Sequence, residues 1–475
     1  MNIKFGTSGW RGIIADDFTY QNVRLVTQAI VQYLKEQNYI RPLIIGYDTR
    51  FASADFARVS AQVLAANDWP VYLGRQPTPT PVISLEILHR KLSGGINFTA
   101  SHNPPEYNGL KFSPFWGGPA LPETTRRIEE LCQKNLTIND QPTEQQKKLI
   151  SRISAETNYL KILPRRLDIP KNSKARVVVD TLYGTAIPYF PAILEKYHLN
   201  YTIIHNEINP LFGGKSPEPN RENLLNLKKL LREKRAILGL ATDGDADRFG
   251  ILDSDGSFLN PNEVLSLLLY YLVKNKRLSG RLVVRSVMTT HLLDRLAKHF
   301  GLEVKETPVG FKFIGEELVK ANSVYPASGG DFLIGGEESG GLTIQGHIPE
   351  KDGILANLLV LEMVLREKKS CRQLLKEIFR LVGPVYSQRI NFHLTQKEMD
   401  DFRQRLKEPE KLSTDIAVKE IVTIDGYKFL LADNVSWLGI RLSGTEPVVR
   451  LYGESNTQKK QKELIRQGKK IIFGQ

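Results

Sequence analysis

The sequence predicts an α/β protein made of three related mixed-sheet domains and closed by an α+β domain. Three observations carry this. The 475 residues exceed one ordinary domain and suit three or four. Short β-rich apolar runs alternate with segments of helical period through most of the chain, as βαβ units require. Strand openings of one kind recur, YDTR at 47, VVVD at 177 and VVRS at 283.

In chain order, Leu43–Tyr47 (LIIGY), Val71–Leu73 and Ile96–Phe98 read as strands, and the amphipathic stretch Asn22–Lys35 as a helix. The polar stretch Asn135–Lys148 lacks apolar periodicity and reads as a linker, so a first domain is expected over 1–150. Ala175–Asp180, Ile203–Ile204 and Ile237–Leu240 supply the strands of a second, over 151–260, which ends at a second linker, the turn-rich Asp253–Asn262. A third, over 261–375, opens with the apolar run Val264–Val273 and the strand Leu282–Arg285. After about residue 383 the grammar changes. Glu420–Leu431 has two β-rich arms around Asp425-Gly426, a hairpin turn signal. Val435–Glu454 adds further β-like sequence and Asn456–Ile472 reads as a basic closing helix, giving an α+β domain over 376–475.

Composition narrows the function classes. Hydrophobic residues at 41% and charged residues at 25% match a soluble globular protein. The two cysteines, Cys132 and Cys371, form no CxxC pattern, so a disulfide framework is excluded and a reduced, cytoplasmic setting is expected. The start MNIKFGTSGWRG has no secretory h-region, and Val264–Val273 is about half the length a bilayer needs. No membrane partner is expected. The net charge of +13 points to anions: nucleic acid, an acidic surface or phosphorylated small molecules. No zinc spacing or RNA-recognition aromatic motif is present and the charge is spread along the chain, so nucleic acid is not the expected partner.

Five segments are too rich in glycine, hydroxyls and charge for plain connectors. Phe5–Gly12 (FGTSGWRG) carries Arg11 in a glycine-dense loop where backbone can approach an anion; an ordinary turn is the competing reading. Thr99–Phe112 (TASHNPPEYNGLKF) follows the strand Ile96–Phe98, where open α/β sheets place their ligands. Ser101 is there a candidate nucleophile or phosphoryl carrier, with His102 or Lys111 to handle protons, unless it only caps a turn. The Asn108-Gly109 pair is expected to turn the chain. Asp243, Asp245 and Asp247 (DGDADR) put three carboxylates at alternate positions after another strand. Such oxygen ligands suit magnesium, and the loop lacks the glycine and glutamate of an EF-hand. Gly335–Gly341 (GGEESGG), after Ser328-Gly329-Gly330, offers Glu337 and Ser339 to neighbouring hydroxyls, with His347, Lys351 and Asp352 downstream. Last, Arg441–Glu454 (RLSGTEPVVRLYGE) combines Ser443, Gly444 and Thr445 with Arg441 and Arg450, a set that suits a phosphate dianion.

Together, in this order, the segments resemble the α-D-phosphohexomutase superfamily, which includes phosphoglucomutase and phosphomannomutase, from Phe5 to Glu454. The resemblance implies four domains around a central cleft. It implies that Ser101 is phosphorylated and that its phosphoryl group, with Asp243, Asp245 and Asp247, holds one Mg2+ ion. A hexose 1- or 6-phosphate, of glucose with mannose as a further candidate, would be converted through a hexose 1,6-bisphosphate. Arg11, His102, Lys111 and Arg248 match positions around the transferring group, Glu337 and Ser339 the sugar loop, and Arg441, Ser443, Gly444, Thr445 and Arg450 the clamp for the other phosphate. Lys351 and His347 belong to the expected substrate rim. One departure stands out: Gly341 lies where several bacterial members have a histidine, a role His347 could take. The doubled glutamate of GEESG favours glucose or mannose over the phosphoglucosamine mutases. A hexose 1,6-bisphosphate synthase using the same half-reaction, or a phosphoglucosamine mutase, is the alternative, and a nucleic-acid-binding protein a remote one. A monomer or homodimer is expected.

Overall fold

The computed structural model describes residues 3–6, 8–275, 278–321, 331–408, 417–442 and 448–474. Its strands form four sheets, one for each expected domain. In the seven-stranded first sheet, Gly94–Phe98, Leu43–Tyr47, Val71–Gly74 and Ile150–Ile153 run parallel, and Tyr107–Pro114 is antiparallel to Gly94–Phe98. The second sheet has Leu238–Thr242, Arg176–Asp180 and Asn200–Ile204 in parallel, with Phe249–Asp253 antiparallel. In the third, Leu282–Ser286, Glu303–Thr307 and Phe332–Glu337 are parallel and Gly341–Ile344 is antiparallel. Each of these sheets thus ends a parallel strand in a loop that doubles back into an antiparallel neighbour. Those loops hold Ser101, the three aspartates, and Ser339 beside Glu337. The repeated strand openings therefore correspond to a repeated architecture.

The fourth sheet is wholly antiparallel, from Tyr386–His393 through Val448–Ser455, Trp437–Leu442 and Tyr427–Leu431 to Val418–Val422. Helix Gln458–Phe473 buries Leu464, Ile465, Ile471 and Ile472 in its core, which is separate from that of the other domains. A small apolar cluster, Val287, Met288, Trp437 and Tyr452, joins it to the third sheet.

The local chemistry explains the main helices. Tyr20–Glu36 is capped by Thr19, whose side chain accepts from the Asn22 amide, and it buries Val23, Val26, Ile30 and Leu34 at helical spacing. The apolar run Val264–Val273 lies in helix Pro261–Lys274, started by an Asn260/Glu263 capping box with Pro261 in the first turn. Among the described residues no helix is long and apolar enough to cross a membrane.

Four local expectations change. Ile150–Ile153 pairs with Val71–Gly74, so the first sheet runs past residue 150; as a short edge strand with polar Ser151 and Arg152 exposed, it carries little apolar signal. Asp253–Asn262 is not a linker, because Phe258–Leu259 pairs back on Ile251–Leu252 as a hairpin. The expected boundary at 375 falls inside helix Cys371–Val382, which Ser370 and Gln373 cap. Asn108-Gly109 lies within strand Tyr107–Pro114, where the Asn108 side-chain amide donates to Phe51 O and Ser53 Oγ at 3.1 and 2.9 Å. The chain turns earlier, between 99 and 106.

Candidate active site

Ser101 leaves strand Gly94–Phe98 in the left-handed region, at φ 53°, and is 1% exposed. A conformation costly for a non-glycine residue persists where its surroundings over-determine it. Arg50, from the YDTR strand opening, supplies much of that determination. Its guanidinium donates to the carbonyls of Ser101 and Asn103 at 2.7 Å each, to those of Pro104 and Tyr107, and to Asp48 Oδ2 at 3.1 Å. The Ser101 amide donates to Thr99 Oγ1 at 2.9 Å.

The aspartate loop lies against this one. Gly244 is what lets it approach: a Cβ there would stand 2.7 Å from the Ser101 carbonyl oxygen. As a result Ser101 Oγ donates to Asp243 Oδ2 at 2.6 Å, across 142 residues of sequence. Asp243, Asp245 and Asp247 are all buried, and each offers an oxygen within 4.8 Å of the others'.

So many buried carboxylates need cations. Lys111 Nζ reaches Asp245 Oδ2 at 2.5 Å and Asp247 Oδ2 at 2.7 Å, and Lys351 Nζ reaches Asp247 Oδ2 at 3.2 Å. Thr80 Oγ1 also donates to Asp245 Oδ2. Burial and then the charges of Asp247 and Asp245 push the Asp243 carboxyl well above its usual range. Burial acts the same way on Asp247, but Lys111, Lys351 and Arg248 outweigh it and hold that carboxyl far below the usual range. Burial works against the Lys111 ammonium, yet Asp245 and Asp247 raise its pKa.

Two oxygens, Asp245 Oδ1 and Asp247 Oδ1, are buried with no hydrogen-bond partner. Unpaired buried carboxylate oxygens are expensive. An oxygen-only donor set of this kind fits a hard divalent cation such as magnesium.

The remaining expected residues are placed as follows. Arg11 Nη1 donates to Asn103 Oδ1 at 2.6 Å, and burial, with the Arg248 charge, pushes its pKa down to about 10. The Arg248 amide donates to Asp243 Oδ1 at 3.0 Å, while its side-chain Nε is buried without a partner. His102 Nδ1 lies 3.4 Å from Ser101 Oγ. Burial first, then Arg248, Arg11 and Arg389, holds the imidazole well below its usual pKa, so it is uncharged at neutral pH. Ser339 Oγ donates to Glu337 Oε1 at 2.6 Å.

The stem of Lys351 fills the space where a side chain at Gly341 would stand, and its ammonium lies 3.1 Å from Glu350 Oε1 and 5.3 Å from the Phe311 ring centre. His347 does not join Glu337 and Ser339. Its Nε2 lies 2.8 Å from Asp352 Oδ2, which also accepts from Tyr159 OH at 2.8 Å. The expectation that His347 replaces the missing histidine therefore gives way to Lys351 at that position. Arg441 Nε donates to Asp425 Oδ1 at 3.0 Å and sits directly across the ladder from Arg450. Ser443, Gly444 and Thr445, and Ser328 to Gly330, lie outside the described residues.

Several residues were missed by sequence reading. Arg50 and Thr80 hold the two loops, and Glu350 sits beside Lys351. Glu338, the second glutamate of the sugar loop, accepts from Ser286 Oγ at 2.8 Å and from Tyr452 OH at 3.2 Å, bridging the third and fourth domains. The YDTR opening was a signal for Arg50 and the doubled glutamate of GEESG for Glu338; nothing local marked Thr80 or Glu350.

Known proteins place the chain. Four family models, described as phosphoglucomutase/phosphomannomutase alpha/beta/alpha domains I, II and III and C-terminal domain, match residues 2–138, 157–256, 260–382 and 390–467. A phosphoglucomutase of Komagataeibacter xylinus is 30% identical, over 95% of this chain and 87% of its own. A "Probable phosphoglucosamine mutase" of Pyrococcus horikoshii is 29% identical, over 98% of this chain and 97% of its own. A phosphomannomutase-type crystal structure from Thermus thermophilus superposes with a TM-score of 0.85 at 32% identity, covering 99% of both chains. These relatives carry three sugar names. The chain belongs to the phosphoglucomutase/phosphomannomutase family and is a phosphohexomutase, an isomerase that moves a phosphoryl group within one sugar phosphate.

Proposed function

We propose that this phosphohexomutase interconverts hexose 1-phosphate and hexose 6-phosphate, of glucose and also of mannose, through phosphorylated Ser101 and a hexose 1,6-bisphosphate. The observation that carries the reading is the 2.6 Å contact of Ser101 Oγ with Asp243, where two domains bring a strained serine to three buried carboxylates. A serine that only capped a turn would have no use for that neighbour.

In the first half-reaction the Ser101 Oγ–P bond breaks and a bond forms from phosphorus to the free sugar hydroxyl. The hydroxyl proton passes to a base; the uncharged His102 imidazole, beside Ser101 Oγ, is the nearest neutral one. The bisphosphate then turns over, its other O–P bond breaks, the phosphoryl group returns to Ser101 Oγ, and the proton returns to the freed sugar oxygen. Proton and phosphoryl group both balance over the cycle. Arg11, Lys111 and Arg248 hold positive charge around the transferring group, which lowers the barrier because it needs no reorganisation during reaction. Asp243, Asp245, Asp247 and an oxygen on Ser101 would hold a magnesium ion, whose part is to neutralise charge on the phosphoryl oxygens. Glu337 and Ser339 bind sugar hydroxyls in either orientation. Arg441 and Arg450, with Ser443 to Thr445, hold the phosphate that is not moving.

The test incubates the protein with magnesium, a trace of hexose 1,6-bisphosphate and a panel of glucose, mannose and glucosamine monophosphates, with chromatography of all products. Isomerisation of glucose and mannose phosphates, lowered at least about a thousandfold in Ser101→Ala, is the expected result. Exclusive use of glucosamine phosphates would overturn the sugar assignment. Accumulation of bisphosphate in place of isomerised product would make the protein a bisphosphate synthase. Full activity of Ser101→Ala would remove the phosphoserine.

A further inference from the structure

A cavity of about 760 Å³ is lined by Arg248 of the aspartate loop and by Ser339. The sheet of the fourth domain lines it too, through Arg389 and Tyr452. The strand register fixes what that sheet presents. Arg389 is paired directly with Tyr452, which pairs with Gly439; one step along, Asn391 pairs with Arg450 and Arg450 with Arg441. Directly paired residues share a face, and so do residues two apart on one strand. Arg389, Arg441 and Arg450 therefore project from one face, opposite the face whose Leu438, Ile440, Val449 and Leu451 fill the core.

Three guanidinium groups on one sheet face repel unless something anionic joins them. Arg441 has Asp425. Arg389, half-buried in the wall, has no carboxylate or other side-chain partner among the described residues. Its charge, after burial and together with those of Arg441 and Arg248, lowers the pKa of Arg450. An unpaired arginine so placed lines one cavity with Arg248 and Ser339 and shares a sheet face with Arg441 and Arg450.

We propose that Arg389 is a phosphate-binding residue that holds the hexose bisphosphate while it turns between its two orientations. This rests on the reaction proposed above. During the turn neither phosphate occupies its terminal position, so the contacts that hold the substrate at the start and end of the cycle are unavailable together. A bidentate cation on the cavity wall, away from both sets of terminal contacts, would supply one contact during the turn. Its loss lets the bisphosphate leave before it has turned.

The test follows labelled hexose 1-phosphate turned over with magnesium by the full-length wild type, Arg389→Gln and Arg389→Lys. The measured quantity is the ratio of free labelled bisphosphate to labelled 6-phosphate. Losing a charged hydrogen bond to phosphate predicts a ratio roughly tenfold higher in Arg389→Gln, with Arg389→Lys in between and the KM for the monophosphate changed less than the ratio. Thermal unfolding checks that both variants fold; if Arg389→Gln does not, Arg389→Lys alone must still raise the ratio. A wild-type ratio in the folded variants overturns the role of Arg389 while leaving the mutase reading intact. A wild type that forms neither 6-phosphate nor bisphosphate overturns both.

Discussion

Two junctions between domains each bury a lysine, and they treat it in opposite ways. Between the first and second domains, Lys111 is clasped by Asp245 and Asp247, which raise its pKa against the effect of burial. Between the third and fourth, Lys428 is 1% exposed over the Trp437 ring, and its ammonium donates to Val287 O and His291 Nε2 at 2.7 Å each. Glu306, at 3.2 Å, is already shared with Arg285. Burial, followed by the Arg285 charge, pushes the Lys428 pKa down to about 8. The first junction gathers three carboxylates whose oxygens lie within 4.8 Å of one another, and leaves Asp245 Oδ1 and Asp247 Oδ1 unpaired even with Lys111, Lys351 and Arg248 beside them. The second has no such cluster among the described residues; one oxygen, Glu454 Oε2, is unpaired there and its lysine is under-supplied. Converging buried carboxylates mark a place prepared for a cation from solution; charges without such a cluster mark a contact between bodies.

Three substitutions sharpen that contrast. The largest effect belongs to Lys111→Met, which removes the ammonium from two buried carboxylates. Activity falls about a hundredfold or more, and the loss of a buried partner destabilises the protein by about 3 kcal/mol. Magnesium raises the unfolding temperature of this variant more than that of the wild type, because an added cation then has more uncompensated charge to meet. No magnesium shift in either protein would mean that the carboxylates are not a cation site.

Lys428→Met has a smaller effect, of a different kind. Its folded pKa of about 8 lies below the ordinary lysine value of 10.5, so between these pH values the unfolded chain holds a proton that the folded chain lacks. Stability contributed by this group therefore rises with pH through that window, and below it the folded state bears a cost on the order of 3 kcal/mol. The variant loses the rise. Its unfolding temperature relative to wild type should fall between pH 8 and pH 10, while turnover stays within a few-fold; parallel pH curves would contradict the assignment.

The smallest change is Tyr452→Phe, which removes the bond to Glu338 across the same junction. It should cost about 1 kcal/mol in chemical denaturation. A loss of several kcal/mol would show that this contact is more than one hydrogen bond in the interface.

What could be read in the sequence follows from how local each signal is. Ser101 and the three aspartates stood out because each lies in a short loop directly after an apolar strand. The repeated strand openings were visible too, but not that each domain turns the same kind of parallel strand into an antiparallel one at its functional loop. That needs register. Arg50 acts on carbonyl groups some fifty residues away, so the YDTR opening marked the residue but not its role, and Arg389, which gains its meaning from pairing with Tyr452, has no local signature. Asn108-Gly109 was misread because a turn dipeptide can also be held straight when its side chain binds a neighbouring segment, as Asn108 binds Phe51 and Ser53. His347 pairs instead with buried Asp352, which also accepts from Tyr159, so the structure does not bring it to Glu337 and Ser339.

The central claim is that Ser101 carries the phosphoryl group, and peptide mapping by mass spectrometry tests it most directly. The protein is treated with hexose 1,6-bisphosphate and magnesium, then divided, and one half receives excess hexose monophosphate. One phosphoryl group on the peptide containing Ser101, retained in the first half and discharged onto sugar in the second, is the predicted result. A protein that takes up no phosphoryl group, carries it on another residue, or cannot pass it to the sugar would contradict the account.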